Sequence, residues 1–188
     1  MISSIDAYTD GSALMNGSGP AGYGVIIRYY EDNGEGMPEA KEIELSQGYI
    51  VSTNNRMEIT AVLVAMNKIL ELLEKPEFID VRQASISSDS EYVVKAISQD
   101  WLSKWLGNNW MTSGYGGRQP KPVKNKDLFE KIIDAIAKIK AKRVTIVMNW
   151  IKGHDGNEFN ERCDSMARQA ANGELIHDEG YETVMRSN

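Results

Sequence analysis

At 188 residues, with 41% hydrophobic and 26% charged side chains and a net charge of −6, the chain has the composition of one soluble domain large enough for a sizeable core. No apolar run approaches the ~20 residues that span a bilayer, and Met1-Ile2-Ser3-Ser4 has neither the charge nor the apolar stretch of a secretory leader. The lone Cys163 excludes an internal disulfide and fits a reducing, cytoplasmic location; one Cys and two His are too few for zinc, so any metal should be a hard, oxygen-loving cation.

Residues 5–9 read as a strand whose alternation puts Asp6, Tyr8 and Asp10 on one face and Ile5, Ala7 and Thr9 on the other. A Gly/Ser/Pro loop over 11–22 leads into a second strand, 23–30. A polar hairpin loop, 31–40, precedes a weakly alternating third strand over 42–49. Thr53 or Asn54 caps a helix running to about Glu74. Its apolar residues, among them Met57, Val62, Met66 and Ile69, are too many for a narrow stripe, so it should lie on a sheet. Pro76 ends the region. A fourth strand of small residues covers 84–88, a second helix 90–99, and a short aromatic helix or turn 101–110. Three glycines and two prolines make 113–123 a loop. Asn125 or Asp127 opens a helix to about Ala141, a fifth strand covers 144–151, residues 153–156 form a mobile loop, and 160–171 are the last helix. From Asn172 onward no period is strong, and a poorly ordered tail is expected at the end of a single domain spanning 1–188. This order predicts an α/β fold with a five-stranded mixed sheet and helices on both faces.

The charge is unevenly spread. Residues 118–143 hold nine basic and three acidic side chains, a net of +6, while the remainder holds 12 basic and 24 acidic, a net of −12. The stretch reads either as a solvated lysine-rich helix or as an edge that tracks phosphates.

Four acids stand in distinctive settings. Asp10 ends the first strand in Thr9-Asp10-Gly11-Ser12, Glu58 interrupts the apolar helix, Asp89 ends the fourth strand in Ser88-Asp89-Ser90, and Asp164 starts the last helix. Each has an ordinary reading: turn chemistry for Asp10, a half-exposed carboxylate for Glu58, a capping box for Asp89, a first-turn acid for Asp164. Converging in one cleft, they would repel at roughly 4 kcal/mol per pair at ~4 Å. Raised pKa values or a divalent cation would then be required.

The sequence resembles type 1 ribonuclease H, in particular the bacterial ribonuclease HI kind, from about Ile5 to Tyr181. The motifs that carry the likeness are Thr9-Asp10-Gly11-Ser12, Gly22-Tyr23-Gly24, Thr53-Asn54-Asn55-Arg56-Met57-Glu58, Asp89-Ser90, Pro122-Val123-Lys124-Asn125, Trp150-Ile151-Lys152-Gly153-His154 and Asn160-Glu161-Arg162-Cys163-Asp164. The resemblance implies a ribonuclease H-like fold and hydrolysis of the RNA strand of RNA–DNA hybrids, leaving 5′-phosphate and 3′-hydroxyl ends. It implies that Asp10, Glu58, Asp89 and Asp164 hold two Mg²⁺ ions, with Mn²⁺ able to substitute, in keeping with an oxygen-only ligand set. It makes His154 a mobile histidine for proton transfer or product release, and it places Glu161 near the second metal or as a simple first-turn acid. Asn16, Thr53, Asn54 and Asn55 are implied as contacts to the hybrid's sugars and phosphates, and Trp105 as a stacking platform for deoxyribose. Trp101 and Trp110 read equally well as a small satellite core. Lys121 and Lys124 are the expected basic contacts. A monomer with no membrane association is expected.

Four departures stand out. Leu106-Gly107-Asn108-Asn109 replaces a basic run after Trp105, the following turn carries Gly114-Tyr115-Gly116-Gly117 as extra loop, Glu91 replaces a glutamine, and the loop from Asn16 to Pro20 is longer than usual. Hybrid affinity should therefore be weaker and less salt-sensitive than a fully basic handle would give. Two rivals remain at this level: a hybrid-binding module without catalysis, and another nuclease of the same fold, such as a junction resolvase or transposase.

Overall fold

A computed structural model describes residues 2–31, 37–114, 119–153 and 155–186. The tip of the expected 31–40 hairpin, the 115–117 part of the glycine-rich turn, Arg118 and His154 lie outside the described residues. Three antiparallel strands come first: β1 (Ser4–Ala13), β2 (Ala21–Glu31) and β3 (Glu39–Tyr49). Helix α1 (Asn54–Leu72) follows, then β4 (Gln83–Ser88), α2 (Glu91–Ser98), α3 (Trp101–Gly107), α4 (Lys126–Ala141), β5 (Thr145–Trp150), α5 (Glu158–Ala171), β6 (Leu175–Ile176) and α6 (Glu179–Arg186). The sheet is mixed, in the order β5-β4-β1-β2-β3-β6, with β1–β4, β4–β5 and β3–β6 parallel.

Helices cover both faces, as the pattern predicted. On one face α1 lies along β1 and β2 and packs against α4, burying Met57, Val62, Met66 and Ile69. On the other, α5 crosses β1, β2 and β3. Glycines permit both approaches. A Cβ at Gly11 would collide with the backbone of Met57 and Glu58, and one at Gly22 or Gly24 would collide with carbonyl oxygens of α5.

The structure corrects four boundary expectations. The sheet has six strands, not five. The strand bearing Asp10 does not end there: β1 runs on to Ala13 beside β2, and only its parallel pairing with β4 stops at Thr9 and Ser88. Helix α5 begins at Glu158, capped by the Asn157 side chain, which accepts from the Asn160 amide at 3.1 Å. Asp164 is therefore in its second turn, not at its start. Finally, the residues after Asn172 are not a loose tail. They add β6 to the sheet edge and dock α6 through Asp178, which is 7% exposed and ion-paired to the buried Arg56 at 2.9 Å. A two-residue strand is too short to show a period, and the ion pair is a tertiary event.

Candidate active site

Parallel register builds the centre of the site. Thr9 pairs with Ser88, so the next residues, Asp10 and Asp89, emerge side by side from neighbouring strands. Gly11 lets α1 lie directly on β1, and this brings Glu58 to the same point. One carboxylate oxygen each from Asp10, Glu58 and Asp89 lie within 4.8 Å of one another. Asp10 and Glu58 are each only 5% exposed, and Asp89 is half-buried.

The electrostatics follow from that crowding. Burial is the largest influence on Asp10 and the Asp89 charge the next; with Asp164 they push its carboxyl up to about 7, against the opposing hydrogen bond from the Gly11 amide at 2.8 Å. Burial, then Asp10 and Asp89, hold Glu58 well above the ordinary carboxylate range. Glu58 Oε1 accepts a long hydrogen bond from the Asn54 side-chain Nδ2 at 3.5 Å, whereas Oε2 is buried with no hydrogen-bond partner among the described residues. An orphaned, buried carboxylate oxygen beside two more acids fits the ligand set of a hard cation. Oxygen-only donors fit Mg²⁺ or Mn²⁺.

Asp164 is not in that triplet. It stands close enough to raise the Asp10 pKa, but its Oδ1 accepts from Arg168 Nε at 2.9 Å. Glu161, a turn earlier, is exposed. His154 lies outside the described residues.

The expected substrate contacts fall at two places, the start of α1 and the region of α3. Thr53 caps α1, its hydroxyl accepting from the Arg56 amide at 3.3 Å. Asn16 Oδ1 accepts from the Asn54 amide at 2.9 Å, and Asn54 Oδ1 accepts from the Ala13 amide at 3.2 Å. The Asn16 loop, the end of β1 and the start of α1 are thus tied together beside Glu58. Asn55 is exposed. Trp105 is half-buried against Phe129, with ring centroids 5.2 Å apart, and it lines a groove of about 630 Å³ with Tyr92, Trp101, Lys104, Asn108 and Met111. Trp110 is buried at 7%, a core role, while Trp101 shares the groove with Trp105. Lys121 and Lys124 are exposed on the adjoining segment. Glu91 is occupied by an ion pair with Lys95.

Sequence reasoning assigned no role to several residues that hold the site. Trp150 Nε1 donates to the Asp89 carbonyl at 3.0 Å, and buried Asn160 donates to Asp89 Oδ2 at 3.4 Å. A Cβ at Gly153 would fall 2.7 Å from Asp89 Oδ2, so the chain after β5 presses against that carboxylate. Arg56, 3% exposed on α1, forks onto both oxygens of Asp127 and both of Asp178 at 2.9 Å. The one signal in the sequence was a guanidinium on a nearly all-apolar helix with no acid one turn away. Cys163 is buried, which pushes its thiol up to about 12, an inert position.

Comparisons with known proteins bear on the family and the fold. The sequence model of the RNase H family matches residues 3–172. A ribonuclease H of Pseudoalteromonas atlantica (strain T6c / ATCC BAA-1087) is 37% identical over 179 residues, covering 95% of this chain and 97% of the relative. One of Yersinia pestis (strain Pestoides F) is 39% identical over 181 residues, covering 96% and 98%. Among solved structures, LC9-RNase H1, a type 1 RNase H with the type 2 active-site motif, superposes with a TM-score of 0.71 at 24% identity, covering 98% of this chain and 81% of that one. LC11-RNase H1 in complex with RNA/DNA hybrid gives 0.54 at 22% identity, covering 89% and 96%. At these identities the two structures speak to the fold alone.

Proposed function

The chain belongs to the ribonuclease H family and is an endoribonuclease of that kind, and on that premise we propose that it hydrolyses the RNA strand of RNA–DNA hybrids by a two-metal-ion mechanism. The observation that carries the mechanism is the triplet Asp10, Glu58 and Asp89, with Glu58 Oε2 lacking a hydrogen-bond partner among the described residues. These three residues would hold the cations, and Asp164, adjacent and now paired with Arg168, is the fourth ligand of the proposal. When bound, two Mg²⁺ ions, or Mn²⁺ in their place, supply activation of the attacking water and stabilisation of the leaving 3′ oxygen. Displacement in that sense leaves 5′-phosphate and 3′-hydroxyl ends.

The chain's own residues do the rest. Trp150 and Asn160 orient Asp89. The Gly11 amide keeps Asp10 Oδ1 turned inward. Asn16, Asn54 and Asn55 line the edge where sugars are read, and the N-terminus of α1 at Thr53 faces a phosphate of the DNA strand. Trp105 offers a ring to deoxyribose, Lys121 and Lys124 offer charge to the backbone, and His154 carries a proton or helps product leave. The enzyme is taken to act as a monomer in the cytoplasm; among the described residues no helix is long and apolar enough to cross a membrane.

The test is cleavage of matched RNA–DNA, RNA–RNA and DNA–DNA duplexes across a Mg²⁺ titration, with EDTA as control. Cutting confined to the RNA of the hybrid and lost in EDTA is expected. Duplex DNA cut as fast as hybrid would overturn the substrate assignment. Asp10→Asn should abolish cleavage while hybrid binding in Ca²⁺ persists; cleavage at the parental rate would overturn the metal assignment.

A further inference from the structure

The segment after Asn172 lies beyond the residues that the family's sequence model matches, yet its side chains bond to Ser52, just before α1, and to Gly17 in the Asn16 loop. Ile176 accepts the Ile50 amide at 2.9 Å as β6 closes the sheet edge. Two residues later, Asp178 gathers three groups. Its Oδ2 accepts from the Ser52 hydroxyl at 2.6 Å and from Arg56 Nε at 2.9 Å, and its Oδ1 accepts from Arg56 Nη2 and from the Tyr181 amide at 3.1 Å. Tyr181 in turn donates its hydroxyl to the Gly17 carbonyl at 2.9 Å, across 164 residues of sequence.

Gly17 is a constrained point. Its φ is +99°, and a Cβ there would sit 2.9 Å from Tyr181 Oη and 3.5 Å from Thr53 Cγ2. Its amide donates to the Ser52 carbonyl at 2.8 Å. Its neighbour Asn16 accepts the Asn54 amide. The C-terminal segment therefore grips both sides of one junction: Asp178 holds Ser52 and Arg56 below the start of α1, and Tyr181 holds the loop that carries Asn16.

We propose that residues 175–181 are a clasp for the substrate cleft, with Asp178 and Tyr181 as positioning residues that fix Asn16 against Asn54. The proposal rests on the hybrid-cleavage reading above. Without the Tyr181 hydroxyl bond, the Asn16 loop keeps its links to Ser52 and to the Asn54 backbone amide but loses the contact that ties it to the C-terminal segment. The acid triplet is anchored by β1, β4 and α1 and does not depend on that bond. The clasp should thus act on substrate binding and leave chemistry alone.

Tyr181→Phe tests this, because it removes one oxygen and keeps the ring. With the whole 188-residue chain, Mg²⁺ and a short RNA–DNA hybrid, KM should rise about three- to tenfold, consistent with one lost hydrogen bond, while kcat stays within twofold. Amide hydrogen exchange at Gly17 and Asn54 should quicken in the free protein, a readout independent of cleavage. Asp178→Asn, which keeps shape and removes charge, should shift KM in the same direction with a lower melting temperature. A Tyr181→Phe enzyme with parental KM and parental exchange at Gly17 overturns the clasp. So does a loss confined to kcat that tracks melting temperature, since that is the mark of a merely structural residue. Failure of the parental enzyme to cleave any hybrid is a different result: it sinks the function, while the exchange measurement still judges the clasp.

Discussion

Asp10→Asn should make the metal-free protein more stable while destroying its activity. Oxygens of Asp10, Glu58 and Asp89 lie within 4.8 Å. At an effective dielectric near 20, that separation costs about 3.5 kcal/mol for each pair of full charges. The raised Asp10 pKa, to which burial contributes first and the Asp89 charge second, is of the same scale. A move from 3.8 to about 7 corresponds to roughly 4 kcal/mol of preference for the neutral form. Asparagine keeps the oxygen that accepts the Gly11 amide and removes the charge. At pH 8 in EDTA the gain should be about 2–4 kcal/mol, which for a chain of this length raises the melting temperature by about 5–12 °C. The pH dependence has a definite sign. A carboxyl whose folded pKa lies above its unfolded value binds an extra proton on folding. Parental stability should therefore rise as pH falls from 8 through about 7 towards 5, and the variant should lose most of that slope. Mg²⁺ should close much of that gap, since a cation bound at one hundred times its Kd stabilises the parent by about 2.7 kcal/mol and gives the variant less. Thermal melts with and without EDTA between pH 5 and 8 decide it. An Asp10→Asn protein that melts lower than the parent in EDTA, or gains as much from Mg²⁺, would show that these carboxylates do not repel in a shared cation site.

Two further outcomes follow from the packing. Burial raises the Asp178 carboxyl, but Arg56, Ser52 and the Tyr181 amide outweigh it and hold the group below its ordinary range; burial and Arg56 oppose each other in the same sense at Asp127. Both carboxylates then add stability that is complete above their unfolded pKa and disappears as pH falls through the lower folded values, so acid melts of the parent should steepen below about pH 4, and Arg56→Met should flatten that limb while costing about 3–5 kcal/mol, checked by urea unfolding. Gly11→Ala should cost about 3 kcal/mol or more and cut activity sharply, because the new methyl meets the backbone of α1 rather than a movable side chain; a parental urea midpoint and cleavage rate would refute the close approach.

Much of the molecule was legible in the chain because its signals are local. Alternation in residues 5–9 reported a strand half-buried on one face, the crowded apolar surface of α1 reported a helix pressed to a sheet, and Thr53 marked where that helix begins. The four acids were visible as residues in odd company. What the sequence could not carry was distance. That Asp10 and Asp89 meet depends on a parallel register between strands 79 positions apart along the chain, and that Glu58 joins them depends on Gly11 admitting a helix to contact. Asp164 was named as an equal of the other three, yet its place in the second turn of α5 pairs it with Arg168. The C-terminal residues looked shapeless because β6 has two residues and no period of its own. Their order comes from Arg56, a buried charge whose acidic partners lie 71 and 122 positions away along the chain. Local propensity and burial pattern are written residue by residue, whereas the electrostatic partnerships that build this site exist only once the backbone has closed.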